Sequence, residues 1–256
     1  MPGDFDPAEI PPGLLEDYLG TTRRQLGMLA GLADRVHRSG ADAAALDQFR
    51  REVHKIRGSA GSYGFWEASR LAAGMEETLK DWQEQPADDD LDRSALAHWF
   101  VIRLAEVMKL EVPPATRPER ASFPPVAALP SDIPEVIVVE DDPAFRELLE
   151  FGLQSRGYRF ICHRNGREAL EALLALPAGE ARPLLLLDVD LPALDGYSIF
   201  ETLRRERPGA YRVVFTTVHG SEDEQLRGLE AGALDYLVKP LSLRVALEKI
   251  RRWVGR

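Results

Sequence analysis

Cysteine is nearly absent: the 256 residues include one, Cys162. A single thiol cannot close a disulfide within the chain or form a Cys-x-x-Cys metal site, so nothing points to an oxidising compartment. Long apolar runs are missing too. Aliphatic stretches such as Leu184–Leu187 fall far short of the ~20 residues that cross a bilayer, and Met1 to Asp6 carry no basic residue of the kind that opens a secretion signal. There is no cationic excess. Lys and Arg total 32 against 42 Asp and Glu, a formal net charge of −10, which argues against general nucleic-acid or membrane-surface binding. These absences describe a cytoplasmic chain with neither a membrane nor a nucleic acid as direct partner.

What is there is ordinary globular composition, 45% hydrophobic and 29% charged, over a length that holds two domains able to bury their own cores. The chain divides where helical periodicity stops. Pro113, Pro114, Pro118, Pro124, Pro125, Pro130 and Pro134 crowd one short stretch, which cannot continue a helix and reads as an extended linker over residues 112–133. Fully extended as polyproline II at ~3.1 Å per residue, it reaches roughly 70 Å, so contact between the flanking domains is permitted but not imposed. Residues 1–111 show helical spacing and no convincing strand; residues 134–256 alternate short β-branched runs with amphipathic stretches.

In the second half the expected strands lie near Val136–Val139, Tyr158–Cys162, Leu184–Leu187, Val213–Thr216 and Tyr236–Val238. Strand alternating with helix five times predicts a parallel sheet covered on both faces, with functional residues just past the carboxyl ends of the strands. Glu140, Asp141 and Asp142 follow the first strand, Asp188 and Asp190 the third, Thr216 and Thr217 end the fourth, and Lys239-Pro240 follow the fifth. Carboxylates converging on one crevice repel one another unless a cation neutralises them, and hard oxygen ligands suit Mg²⁺. A carboxylate beside a metal, a hydroxyl and a lysine together form a nucleophile and a cradle for a phosphoryl group in transit.

The motifs Val138-Val139-Glu140-Asp141-Asp142-Pro143, Leu187-Asp188-Val189-Asp190-Leu191-Pro192-Ala193-Leu194-Asp195-Gly196, Thr217, and Asp235-Tyr236-Leu237-Val238-Lys239-Pro240 resemble, in order and spacing, those of bacterial response-regulator receiver domains. The resemblance covers residues 134–256 and implies a flavodoxin-like doubly wound α/β fold with a five-stranded parallel sheet. It implies that Asp188 is the phosphoryl acceptor and that Mg²⁺ is held by Glu140, Asp141, Asp188 and the backbone carbonyl of Asp190. It further implies that Thr217 bonds a phosphoryl oxygen, that Lys239 pairs with the acceptor, that Tyr236 is an aromatic switch moving with Thr217, and that the bond before Pro240 is cis. Departures are Val218 in place of a smaller residue, Leu241 in place of an aromatic, and Glu140 where aspartate is commoner.

In the first half, Leu46, Phe49, Val53, Ile56, Ala60 and Tyr63 recur at spacings of three and four, the apolar stripe of one helix facing others. His54 lies about 100° off that stripe, at its edge or in solvent. On its own face stand Arg57, Gly58 and Gly61. Glycine inside a helix costs about 1 kcal/mol relative to alanine, so the glycines imply clearance for a partner approaching the imidazole, with Arg57 able to hold phosphoryl oxygens. The run from His54 to Gly64 resembles the signature of histidine phosphotransfer (HPt) domains. That resemblance implies an all-α four-helix bundle carrying a phosphohistidine at His54, with Arg57 where lysine is usual.

The expected function is therefore phosphorelay signalling by a protein that is not an enzyme in the ordinary sense. Its expected partners are a sensor histidine kinase and other receiver or HPt proteins, with a homodimer through the receiver as a further arrangement. One alternative makes the chain the regulatory part of a longer response regulator, with a diguanylate cyclase or DNA-binding output after Arg256. A phosphatase of the haloacid dehalogenase type, suggested by Asp188-Val189-Asp190, conflicts with the position of that motif after the third strand. A histidine kinase lacks its glycine-rich ATP-binding domain here. His37, His98, His163 and His219 are expected at the surface or in packing.

Overall fold

The computed structural model of the protein describes residues 10–11, 13–36, 43–84, 91–117, 133–177, 182–218, 226 and 228–255. The chain forms two compact units, Met1–Pro124 and Pro125–Arg256. No described helix is long and apolar enough to cross a membrane.

The first unit contains four α-helices among the described residues: α1 (Leu14–Ala33), α2 (Ala43–Ala60), α3 (Trp66–Glu84) and α4 (Arg93–Val107). A 3-10 turn, Gly61–Tyr63, links α2 to α3 and closes on Gly64 at φ 81°, a left-handed position that glycine tolerates. The expected stripe of α2 is the buried face: Phe49, Val53, Ile56 and Ala60 are inaccessible. α2 packs most extensively on α3, whose Leu71, Met75, Leu79 and Trp82 are buried, as are Leu96, Phe100 and Leu104 of α4, and Phe49 faces Phe100 of α4 with ring centres 6.3 Å apart. Asp92 caps α4 by accepting the Ala95 N–H at 2.9 Å, one orphan donor at a helix start satisfied.

His98, buried in α4, is a packing residue: its Nε2 lies 3.2 Å from Asp34 Oδ1, and its Nδ1 accepts the backbone N–H of Arg117. The Arg117 guanidinium pairs with Asp34 at 2.8 Å. Arg117 is thus tied to α4 and to Asp34 at the end of α1. Residues 118–132 of the expected linker lie outside the described residues, as do His37 and His219.

The second unit is a parallel sheet of five strands in the order β2-β1-β3-β4-β5, with β1 at Val136–Val139, β2 at Phe160–His163, β3 at Leu184–Asp188, β4 at Arg212–Thr217 and β5 at Asp235–Val238. Its longer helices among the described residues are α5 (Pro143–Ser155), α6 (Gly166–Ala175), α7 (Gly196–Glu206) and α8 (Leu243–Val254). Every residue of β1 and β3 is buried, as strands covered on both faces require. β2 starts two residues later than expected. Tyr158, though buried, precedes the strand, and its N–H closes a turn on Leu153 after α5.

Strand order reverses between β1 and β3, so a crevice opens at their carboxyl ends. Register sets what stands there. Val139 pairs with Leu187, Asp188 with Thr216 and Thr217 with Val238, so Glu140, Asp188, Thr217 and Lys239 leave their strands at nearly one level.

Candidate functional site

Glu140 and Asp188 are 1% and 3% exposed, and the group they share is an ammonium. Lys239 Nζ donates to Glu140 Oε1 at 2.7 Å, to Glu140 Oε2 at 2.8 Å and to Asp188 Oδ2 at 2.9 Å. The peptide bond from Lys239 to Pro240 is cis, as expected. Thr216 donates its hydroxyl to Glu140 Oε2 at 3.3 Å, and the Asp190 N–H donates to Asp188 Oδ1 at 3.3 Å. Lys239 also lies 5.0 Å from the Phe145 ring centre.

Oxygens of Glu140, Asp141 and Asp188 lie within 4.8 Å of one another, with Asp141 exposed at the rim. Three carboxylates around one ammonium leave a surplus of negative charge. Burial, reinforced by the charge of Asp188, pushes Glu140 up to about 8 against the pull of Lys239. Burial and then the Asp188 charge also raise Asp141. For Lys239 burial acts downward, but Glu140 and Asp188 outweigh it and raise its affinity for the proton. This donor set, hard oxygens with excess negative charge at a solvent-reached rim, fits a divalent cation such as Mg²⁺.

Local sequence explains the convergence. Asp142 caps α5, accepting the Ala144 N–H at 2.9 Å with Pro143 in the first turn, so the acidic turn ends at Asp141 and Asp142 is structural. Asp195 caps α7 through the Ser198 N–H and hydroxyl. Gly196 brings α7 against the acceptor strand; a Cβ there would lie 2.2 Å from the Asp188 carbonyl oxygen. Thr217 is 2% exposed and Tyr236 6%, with the Tyr236 hydroxyl 3.3 Å from that of Tyr197.

His54 is presented differently. Its side chain is 69% exposed, and Nδ1 lies 3.0 Å from Glu76 Oε1. Arg57 donates to the other oxygen, Glu76 Oε2, at 2.9 Å, and Lys80 Nζ stands 3.8 Å from Oε1. Burial works to raise Glu76, but hydrogen bonds from Arg57 and His54 and the charge of Lys80 hold it below the usual carboxylate value. An ionised Glu76 accepts from Nδ1–H and leaves Nε2 as the ring's basic lone pair.

The two glycines differ. Gly58 has open space where a Cβ would be, as the reading of clearance requires. Gly61 is buried, and a Cβ there would meet the Trp66 ring at 2.9 Å; it makes room for an indole, which corrects the clearance reading at that position.

Sequence reasoning missed Glu76 and Lys80, and it placed Thr216 at the end of its strand without giving it a partner. Glu76 has one local signal, a carboxylate among the core-facing Ala72, Met75 and Leu79 of α3. Its partner stands on α2, and no spacing within one helix reveals a pair between two.

A family model for the response regulator receiver domain matches residues 136–251, and one for the Hpt domain matches residues 13–109. The chain is 39% identical over 127 residues to the transcriptional regulatory protein AruR of Pseudomonas aeruginosa, covering 48% of this chain and 50% of that protein. It is 33% identical over 142 residues to the sensor histidine kinase GacS of Pseudomonas protegens, covering 54% of this chain and 15% of that one. The chain thus spans half or less of the length of these relatives. Among solved structures it resembles the receiver domain of a sensor histidine kinase from Pseudomonas aeruginosa, whose active-site cleft coordinates magnesium, with 30% identity, a TM-score of 0.41, and coverage of 48% of this chain and 98% of that one.

Proposed function

We propose that this chain, which carries an Hpt domain followed by a response regulator receiver domain, is a phosphorelay protein of two-component signalling with Asp188 and His54 as its two phosphoryl carriers. Its partners on this reading are a sensor histidine kinase and proteins carrying receiver or Hpt domains.

In the receiver, a carboxylate oxygen of Asp188 attacks the phosphorus of a phosphohistidine. The new O–P bond forms as the N–P bond breaks, and the departing imidazole keeps the electron pair. Lys239 neutralises charge on the acyl phosphate as it forms, and the Thr217 hydroxyl donates to a phosphoryl oxygen. Glu140, Asp141, Asp188 and the backbone carbonyl of Asp190 would hold Mg²⁺, which when bound supplies charge neutralisation to the phosphoryl oxygens. Tyr236 is the aromatic that responds to Thr217.

In the Hpt domain, Glu76 keeps the proton on Nδ1, so Nε2 of His54 is the nucleophile toward an incoming acyl phosphate. Arg57 pairs with Glu76 and stands one helical turn from the imidazole, within reach of phosphoryl oxygens.

The observation that carries the reading is the Lys239 ammonium bridging Glu140 and Asp188 beside Asp141. A test of the second carrier uses a phosphorylated receiver as donor. Acid-labile, base-stable label should appear in the Hpt domain and be lost in His54→Gln; undiminished transfer to the variant would remove His54 from the mechanism.

A further inference from the structure

Gly228 belongs to a short helical segment before β5, in which Leu226 and residues 228–230 are helical. Glycine disfavours a helix relative to alanine, so something must require it. The backbone does not, because Gly228 is not among the glycines with positive φ. Space does. A Cβ on Gly228 would lie 1.6 Å from the Tyr236 hydroxyl oxygen, 2.6 Å from Cζ and 3.0 Å from Cε2. No rotation of the tyrosine hydroxyl relieves an overlap with ring carbon, so a side chain at 228 and an inward Tyr236 exclude each other.

The position that Gly228 opens is well furnished on its other sides. The Tyr236 ring centre lies 5.2 Å from that of Phe215, and Phe215 lies 4.8 Å from Tyr197. The two tyrosine hydroxyls stand 3.3 Å apart. Tyr197 directly follows Gly196, which is seated against the Asp188 carbonyl, and Phe215 lies two residues before Thr217 on β4. An inward Tyr236 therefore touches both chain segments that lead from the acceptor crevice.

We propose that Gly228 is the positioning residue that admits Tyr236 to its buried place, and that Tyr197 is the hydroxyl partner holding it there. The switch is thereby gated by the close approach of a helix backbone as well as by Thr217. Its functional side rests on the proposed role of Tyr236 as a switch; its geometric side does not.

The test is a double-mutant comparison in the full chain, read by hydrogen exchange of the peptide that spans β5. In the native background Gly228→Ala expels the Tyr236 ring, and exchange should become several-fold faster. In a Tyr236→Ala background the same substitution only improves the helix, and exchange should slow by about two- to fivefold, the worth of a glycine-to-alanine change in a helix. A change of the same sign in both backgrounds overturns the proposal. So would aromatic NMR signals of Tyr236 that stay at their native positions in Gly228→Ala. With Tyr197→Phe, the ring signals should shift toward those of an exposed tyrosine, and unmoved signals would remove Tyr197 from the device. If phosphorylation of Asp188 left the Tyr236 signals of the native chain unmoved, the switch reading would fail, whereas the gate would still stand or fall on the reversal of sign.

Discussion

Nδ1 of His54 lies 3.0 Å from Oε1 of Glu76, and the two side chains are opposite in exposure, 69% for the imidazole and 3% for the carboxylate. A buried anion thus orients an exposed base. Its ionisation is secured by Arg57 and Lys80, so the tautomer of His54 depends on groups from two helices, α2 and α3.

Removing that anion should impair transfer without unfolding the bundle. Glu76→Ala is expected to slow phosphoryl transfer to His54 on the order of 10–100-fold, the range found when the carboxylate orienting a metal-bound histidine is removed. Stopped-flow transfer from a phosphorylated receiver measures it, with circular dichroism as the check on folding. An unaltered rate would separate Glu76 from the chemistry.

The same carboxylate predicts an acid limit. Glu76 binds its proton more weakly folded than its ordinary value of 4.5, so in that window the unfolded chain takes up more protons and stability rises with pH. The contribution is complete above about 4.5 and fades as pH falls through the lower folded value. Denaturation of the Hpt domain followed from pH 6 to pH 3 should show this loss, and Glu76→Gln should flatten it.

Lys239→Met leaves Asp188 and Glu140 buried without their shared counter-charge. Breaking such a pair costs about 3–5 kcal/mol, but Glu140, already pushed up to about 8, can take a proton and soften the loss. A carboxylate whose folded affinity for the proton is raised stabilises the fold most at low pH, and that contribution disappears as pH rises through the folded value. The variant should therefore be less destabilised at pH 6 than at pH 9 in urea titrations, and phosphoryl uptake should fall at both.

Much of this was open to reading from residue order. Val136–Val139 and Leu184–Leu187 are aliphatic throughout because both faces of their strands are covered, and a parallel sheet must put Glu140, Asp188 and Lys239 at one edge. Legibility ended where partners come from different elements. His54 could be set on the edge of its helix by its angle from Phe49 and Val53, yet Glu76 is invisible from α2. Gly61 and Gly58 look alike in sequence; only the fold brings Trp66 over the first and leaves the second open. β2 starts later than residue order suggests because a buried aromatic in a turn, such as Tyr158, has the character of a strand residue.

Gly196→Ala probes how tightly α7 is held to the acceptor strand. Its Cβ would stand 2.2 Å from the Asp188 carbonyl oxygen, a backbone atom that cannot swing aside. Overpacking of this kind costs about 1–3 kcal/mol, and the displaced turn carries Asp190 with it. Thermal denaturation should register the first effect and a lowered affinity for Mg²⁺, followed by titration calorimetry, the second.

The most direct measurement is incubation of the full chain with a small-molecule phosphodonor and Mg²⁺, followed by intact mass and by peptide mapping of the label. The account predicts one acid-stable, base-labile phosphoryl group on Asp188, absent in Asp188→Asn and absent when the divalent ion is chelated. Label that persists in Asp188→Asn, or a native chain that takes up none, would contradict it.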